Sequence, residues 1–354
     1  MHKDNETVPP DTLTTDESTI PTAEPFAPEQ MVRCDECLRA NPPTRVNCLY
    51  CRAVLPLNDS DAILQKPTLR PLEKWEQGYN NILMSPLANP LVNPGAAPVR
   101  DAAGLLRLHP EDLARILSAK MPLPLARAAT MDEASLVQRR LSALGIETSI
   151  VADAEPGTAT TGPLKVRTMA IDDERIYAYQ TPESPAIHVS WSDLVLLVAG
   201  RLTVRRIEVK EERARQENRI LESSQFASDE AVVDFYTSKQ EIPYRIAANS
   251  FDFSCLGNRK SLVAGENIVT LIGLFREFAP QLVYDDSFNS VRKLLEAVWP
   301  SEQQHESSGW HRERPGKYSI GSAAELSNET QFWRYSRLRY HLLTETSSKT
   351  NADA

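Results

Sequence analysis

Four of the chain's five cysteines fall within CDECLRANPPTRVNCLYC, from Cys34 to Cys51, as two C-x-x-C pairs separated by ten residues. No other feature restricts the local fold so tightly. A C-x-x-C turn lets both thiolates point at one ion, and two such knuckles complete a tetrahedral set of four sulfurs. The spacer contains NPPT, a turn signal suited to reversing the chain between the knuckles. Soft sulfur in that array selects zinc over hard cations. Cys34, Cys37, Cys48 and Cys51 are therefore read as ligands of one structural Zn2+, since four protein ligands leave no position for a substrate. A thioredoxin-like pair needs a single C-x-x-C beside a β-α-β pattern, and iron–sulfur ligation uses other spacings. Oxidisable thiols or another metal remain the alternatives.

The same stretch resembles bacterial zinc ribbons of the pattern C-x-x-C-x3-N-P-x5-C-x-x-C, with Asn41-Pro42 standing at the N-P. The resemblance implies a small metal-dependent module. Where that family usually carries glycine after each knuckle, this chain has Leu38 and Arg52. A related RNA-binding finger, of the Ran-binding-protein type, also has an asparagine four residues after its second cysteine. It carries tryptophan two residues before the first cysteine, where Val32 stands here.

At 354 residues the chain exceeds what one core usually supports, so several modules are expected. Its formal charge of -9 is concentrated at the start: residues 1–30 hold seven acidic side chains against Lys3 alone. That asymmetry removes polyanion binding as a default for the whole protein. The first residues lack the basic start and apolar block of a secretory signal, which leads us to expect a cytoplasmic protein. The longest apolar run, Leu194 to Ala199, is far shorter than the roughly 20 residues that span a bilayer, so no membrane association is expected.

The pattern along the chain predicts an α+β protein. Residues 1–30 read as a disordered acidic tail, too poor in apolar periodicity to offset the entropy of ordering. The zinc ribbon covers 31–56. Repeated prolines make 57–109 a linker, with LEKWEQGYNNIL as an anchoring patch. Over 110–155 the chain reads as a β-α-β module: a helix begins at Pro110, Leu123 and Leu125 alternate as in a strand, and Thr130 with Glu133 forms a capping box. Ala134, Val137, Leu141 and Leu144 then share a helical face, Gly145 closes it, and Ile146 opens the next strand. This segment resembles ferredoxin-like or GlnB-like signalling modules.

Residues 164–343 read as an α+β domain, with a curved antiparallel sheet and covering helices that resemble a PH-like barrel. Its strands include AIHVSW, LVLLVAG, LTVRRIEV, AVVDFY and NSFDFSCLG, and SLVAGENIVTLIGLFREFAP is an amphipathic helix. KEERARQENRILES reads as an exposed helix or loop because its charges balance. Residues 344–354 read as a second disordered tail. The region from Trp191 through GWHRERPGKY also resembles a bacterial family that is itself uncharacterised, which implies no activity.

Beyond the cysteines, no H-E-x-x-H, Walker or Rossmann pattern is present, and the histidines are scattered. Cys255, on an apolar alternation, reads as a buried inert thiol. Arg312, Arg314, Lys317, Arg334 and Arg337 are interleaved with aromatics, the composition of an anion or single-strand nucleic-acid surface. The plainer reading is a docking helix with aromatics in the core. Together these features lead us to expect a non-enzymatic zinc-binding adaptor or regulator with a protein partner. The alternative is an RNA or single-stranded nucleic-acid binder using the ribbon and the carboxy-terminal arginines.

Overall fold

The computed structural model describes residues 31–45, 47–53, 55–56, 67–73, 76–84, 93–153, 162–213, 218–314 and 317–352. The expected tail over 1–30 and Trp75 of the anchoring patch lie outside them. The chain divides into two compact units, Met1–Gln65 and Lys66–Ala354. The class is α+β. Among the described residues no helix is long and apolar enough to cross a membrane.

In the first unit, β1 (Val32–Arg33) pairs antiparallel with β2 (Ala40–Asn41). Among the described residues their shared core is Val32, Cys34, Cys48 and Leu55, with Cys37 and Ala53 packed against it.

The second unit begins with a split β-α-β arrangement. β3 (Tyr79–Leu83) is the central strand between β4 (Pro124–Ala128) and β5 (Thr148–Ala152) and runs antiparallel to both. The helices α1 (Ala97–Leu106), α2 (Pro110–Leu117) and α3 (Met131–Ala143) cover it. α3 starts as its capping residues require: Thr130 Oγ1 accepts from the Glu133 backbone N–H at 3.2 Å, and Gly145 takes φ 79° after the last turn. The Glu133 carboxylate departs from a simple capping box. It is buried and accepts from the backbone N–H groups of Thr68 and Leu69, at 2.6 and 2.8 Å, so it anchors a segment remote in sequence. The span 57–109 is thus more than a proline-rich linker, since it supplies both β3 and α1. Prolines interrupt it, but the five residues YNNIL stay free of them.

A second sheet has the order β14 (Glu302–Arg314), β15 (Lys317–Ser327), β10 (Leu194–Arg213), β11 (Asn218–Thr237), β12 (Gln240–Ala247) and β6 (Leu164–Val166), with β13 (Val283–Asp285) parallel to β10. Its two longest strands, β10 (Leu194–Arg213) and β11 (Asn218–Thr237), form one hairpin. Their inner halves are buried on both faces, which explains the near-continuous apolar run at Leu194. Val198, Val232 and Tyr236 face the β3–β5 layer together with α5 (Phe288–Leu295) and α6 (Glu329–Ala352). Leu197, Val233 and Phe235 face the opposite way, toward α4 (Ala264–Phe278) and the small sheet of β7 (Thr168–Ile171), β8 (Arg175–Tyr179) and β9 (Ile187–Ser190). The regions 110–155 and 164–343 therefore share one core. Ile82, Leu125 and Leu141 join Val198, Trp299 and Phe332 in a single cluster. Gly200 permits the closest approach: a Cβ there would lie 2.6 Å from the Phe332 ring and 2.9 Å from Phe288.

Several local expectations are corrected. The described parts of KEERARQENRILES, residues 210–213 and 218–223, belong to β10 and β11, because β15 (Lys317–Ser327) supplies a second ladder along β10 from Val204 to Arg213. Arg206 meets Glu208, Glu306 and Glu325 on one face of that ladder, so balanced charge here accompanies strand pairing. Among the described residues the mixed sheet runs from β14 (Glu302–Arg314) to β6 (Leu164–Val166) without closing into a PH-like barrel. SFDFSCLG is not a strand: β12 (Gln240–Ala247) ends before it, and Phe253–Arg259 forms 3-10 turns started by Asp252, whose carboxylate accepts from the Ser254 N–H. α6 continues to Ala352, through the span expected to be a disordered tail.

Candidate metal centre

Each cysteine pair sits in the same backbone knuckle. In the first, the Cys34 N–H donates to Arg39 O at 3.0 Å and the Leu38 N–H to Cys34 O at 2.8 Å. In the second, the Cys48 N–H donates to Ala53 O at 2.7 Å and the Arg52 N–H to Cys48 O at 3.1 Å. The residue before each pair repeats the correspondence: Arg33 Nε donates to Leu38 O at 3.0 Å, and Asn47 Nδ2 to Arg52 O at 3.4 Å. Leu38 and Arg52 hold φ of 60° and 65°. These are the two positions where the ribbon pattern favours glycine, and a side chain in the left-handed region costs about 1 kcal/mol or more. Leu38→Gly and Arg52→Gly are therefore each expected to slow metal loss to a competing chelator, as a zinc-release time course would show; faster release would contradict this account of the turns.

The knuckles bring four sulfurs together. Sγ of Cys34 lies 3.5 Å from that of Cys51, Sγ of Cys37 lies 3.5 Å from that of Cys48, and all four fall within 4.8 Å of one another. These separations exceed a disulfide bond and match the edges of a tetrahedron with metal–sulfur distances of about 2.3 Å. Asn41 joins the halves. It is fully buried; its Nδ2 donates to Arg39 O at 2.9 Å and contacts Cys48 Sγ at 3.4 Å, while its Oδ1 accepts from the Leu49 N–H at 2.8 Å. The Asn-Pro signature thus has a mechanical role at the sulfur cluster, the kind of outer hydrogen bonding that orients ligands.

The thiols differ in acidity. Burial pushes Cys48 up, but backbone N–H groups of Cys51 and Tyr50, with Cys37 and Asn41, outweigh it and bring the thiol down to about 6. For Cys51 the Ala53 N–H favours the thiolate, yet burial and the neighbouring sulfurs together raise it to about 12. Four anions at this spacing repel one another, so a cation is the group that lets all of them ionise. The donor set and its spacing fit a thiophilic metal ion.

Arg312 and Arg314 belong to β14 and Lys317 to β15, and their side chains lie outside the described residues. Arg334 and Arg337 lie one turn apart on α6 and both line a cavity. The aromatics around them are largely used for packing: Tyr335 is fully buried with its hydroxyl 3.0 Å from Asp285, and Tyr340 stacks on Tyr236 at 4.6 Å between centroids. Cys255 is partly buried, and burial raises its thiol to about 11, in keeping with an inert side chain. Sequence reading missed the partly buried pair Arg127–Asp153 and the buried pair Arg245–Asp234, because nothing in the spacing of either pair marks it as a contact.

No protein-family model, curated protein or solved structure matches the chain.

Proposed function

We propose that the protein is a non-enzymatic zinc-binding adaptor or regulator, in which Cys34, Cys37, Cys48 and Cys51 hold one structural Zn2+ and the ribbon so formed docks onto a protein partner. The observation that carries this reading is a closed four-sulfur set whose turns hold apolar side chains outward. Leu38, Leu49 and Tyr50 are 61%, 50% and 56% exposed, although the module has scarcely enough apolar residues for its own core. Large side chains spent on the surface of so small a unit support contact with another protein. Arg39, placed over the Tyr50 ring at 4.7 Å, adds the amphipathic character common at interfaces. Four thiolates favour zinc and leave no open coordination position, so the metal's contribution is folding energy.

The nucleic-acid reading has less support, since Tyr335 and Tyr340 are engaged in packing instead of being available to stack on bases. The test combines metal analysis with affinity purification at native expression. One zinc per chain is expected, together with a protein partner that is lost when Leu49 and Tyr50 are replaced by serine while zinc is retained. Absence of zinc, or recovery unchanged by that double replacement, would overturn the proposal.

A further inference from the structure

A cavity of about 430 Å³ opens between the β3–β5 sheet and α6, within the size range of small-molecule sites. Its sheet side is electrostatically complete. Asp153 accepts from Arg127 Nε at 2.9 Å, the Gly78 N–H at 2.9 Å and Asn80 Nδ2 at 2.8 Å. The Asn80 side-chain Oδ1 in turn accepts from Trp299 Nε1 at 2.9 Å. Glu76, at the edge, is held in a fork by Arg70 at 2.7 and 2.5 Å. The carboxylates nearest the sheet are therefore already committed.

The helix side is not complete. Arg334 is largely buried, yet among the described residues it donates no hydrogen bond and forms no ion pair. Burial first, and then the positive charge of Arg127, hold its pKa below the usual guanidinium value; Asp153 and Glu302 counter this only from a distance. Arg337 likewise has no hydrogen bond or ion pair with a described residue, and its guanidinium lies over the Trp333 ring at 5.6 Å. Three other partly or wholly buried arginines meet carboxylates: Arg127 with Asp153, Arg245 with Asp234, Arg339 with Asp285. Two guanidinium groups left facing a cavity, with Val151 and Ala152 as its accessible apolar lining, are an oxyanion site with a place for an organic body. Glu241 is exposed, and its charge is open to screening by solvent.

We propose that this cavity binds a small organic oxyanion, a phosphate monoester or a carboxylate, whose oxygens are taken by Arg334 and Arg337 while its body lies against Trp333 and the apolar wall. The site is independent of the zinc ribbon. Its concave shape and limited volume suit one small molecule better than a track for successive nucleotides.

The test titrates the full-length, metal-loaded protein with adenosine monophosphate and with phenylacetate, reading heat and tryptophan fluorescence. Adenosine and phenylacetamide serve as the neutral counterparts. Binding of one anion per chain is expected, with the matching neutral compound weaker by about tenfold or more. Which of the two acids binds separates phosphate from carboxylate. Arg334→Met and Arg337→Met should each weaken binding by about tenfold or more. Arg334→Met should also leave the melting temperature of the ligand-free protein unchanged or raised, because it removes an unpaired cation.

Failure of both acids to bind at millimolar concentration would overturn the proposal. So would binding indifferent to both replacements, or a lowered melting temperature in Arg334→Met, which would mark that arginine as structural. Binding of oligouridylate that depends on these arginines but is not displaced by either acid would also overturn it, in favour of nucleic acid.

Discussion

Cys48→Ser is expected to abolish metal binding and the order of the ribbon, while the unit from Lys66 to Ala354 keeps its own melting transition. The size of the effect follows from how little else holds the module. Among the described residues four buried side chains make its core, and two of them are themselves cysteines, Cys34 and Cys48. Units this small rarely fold without a metal or a disulfide, and zinc binding in comparable peptides contributes about 10 to 16 kcal/mol. Cys48 is also the sulfur approached by Asn41 Nδ2 and the Tyr50 N–H, both at 3.4 Å, so its replacement disturbs the hydrogen bonds between the knuckles as well as the ligand set. Metal analysis and limited proteolysis of the ribbon would report the change. Full zinc occupancy with an uncut ribbon in the variant would contradict it. A chelator should reproduce the effect in the unaltered protein.

Arg245→Met is expected to destabilise the second unit by about 3 to 5 kcal/mol, the usual cost of leaving one member of a buried ion pair without its partner. Asp234 and Arg245 are directly opposite on β11 and β12. They meet through two parallel bonds, Arg245 Nε to Asp234 Oδ1 at 2.7 Å and Nη2 to Oδ2 at 2.8 Å, with side-chain exposures of 2% and 0%. The guanidinium also reaches Glu329 at 3.2 Å and lies over the Phe332 ring at 5.0 Å, linking the sheet to the first turns of α6. Removing the arginine strands a carboxylate in the core. Replacing Asp234 and Arg245 together by apolar residues should recover much of the loss, since the pair's own net contribution is small once both charges are gone. Urea unfolding of the two variants checks this; a loss in Arg245→Met below about 1 kcal/mol would mean that Asp234 finds other compensation.

Parts of the fold were legible from local pattern. The capping of α3 at Thr130, its apolar face at Ala134, Val137 and Leu141, and its stop at Gly145 lie within sixteen consecutive residues, and the structure has them in those roles. β3 was hidden for the opposite reason. Its Asn80 and Asn81 are polar yet buried, and their hydrogen bonds go to Trp299, 219 residues away, and to the Ala134 carbonyl, 53 residues away. Nothing near YNNIL in the sequence announces those partners. The β10–β11 hairpin was obscured similarly, because the pairing that holds its charged outer half is supplied by β15, more than a hundred residues later.

The sulfur cluster follows from local sequence alone, because its four ligands occupy eighteen consecutive residues and a C-x-x-C turn brings thiolates together whatever surrounds it. The surroundings of Arg334 and Arg337 come from long-range packing. Arg334 and Arg337 are one helical turn apart in any helical reading, but whether such groups face water, a carboxylate or a cavity depends on β3, β4 and β5, strands more than 170 residues earlier in the chain. Ligands close in sequence are constrained by local backbone geometry. Charges whose surroundings come from distant segments acquire their chemistry only when the core that carries those segments has formed.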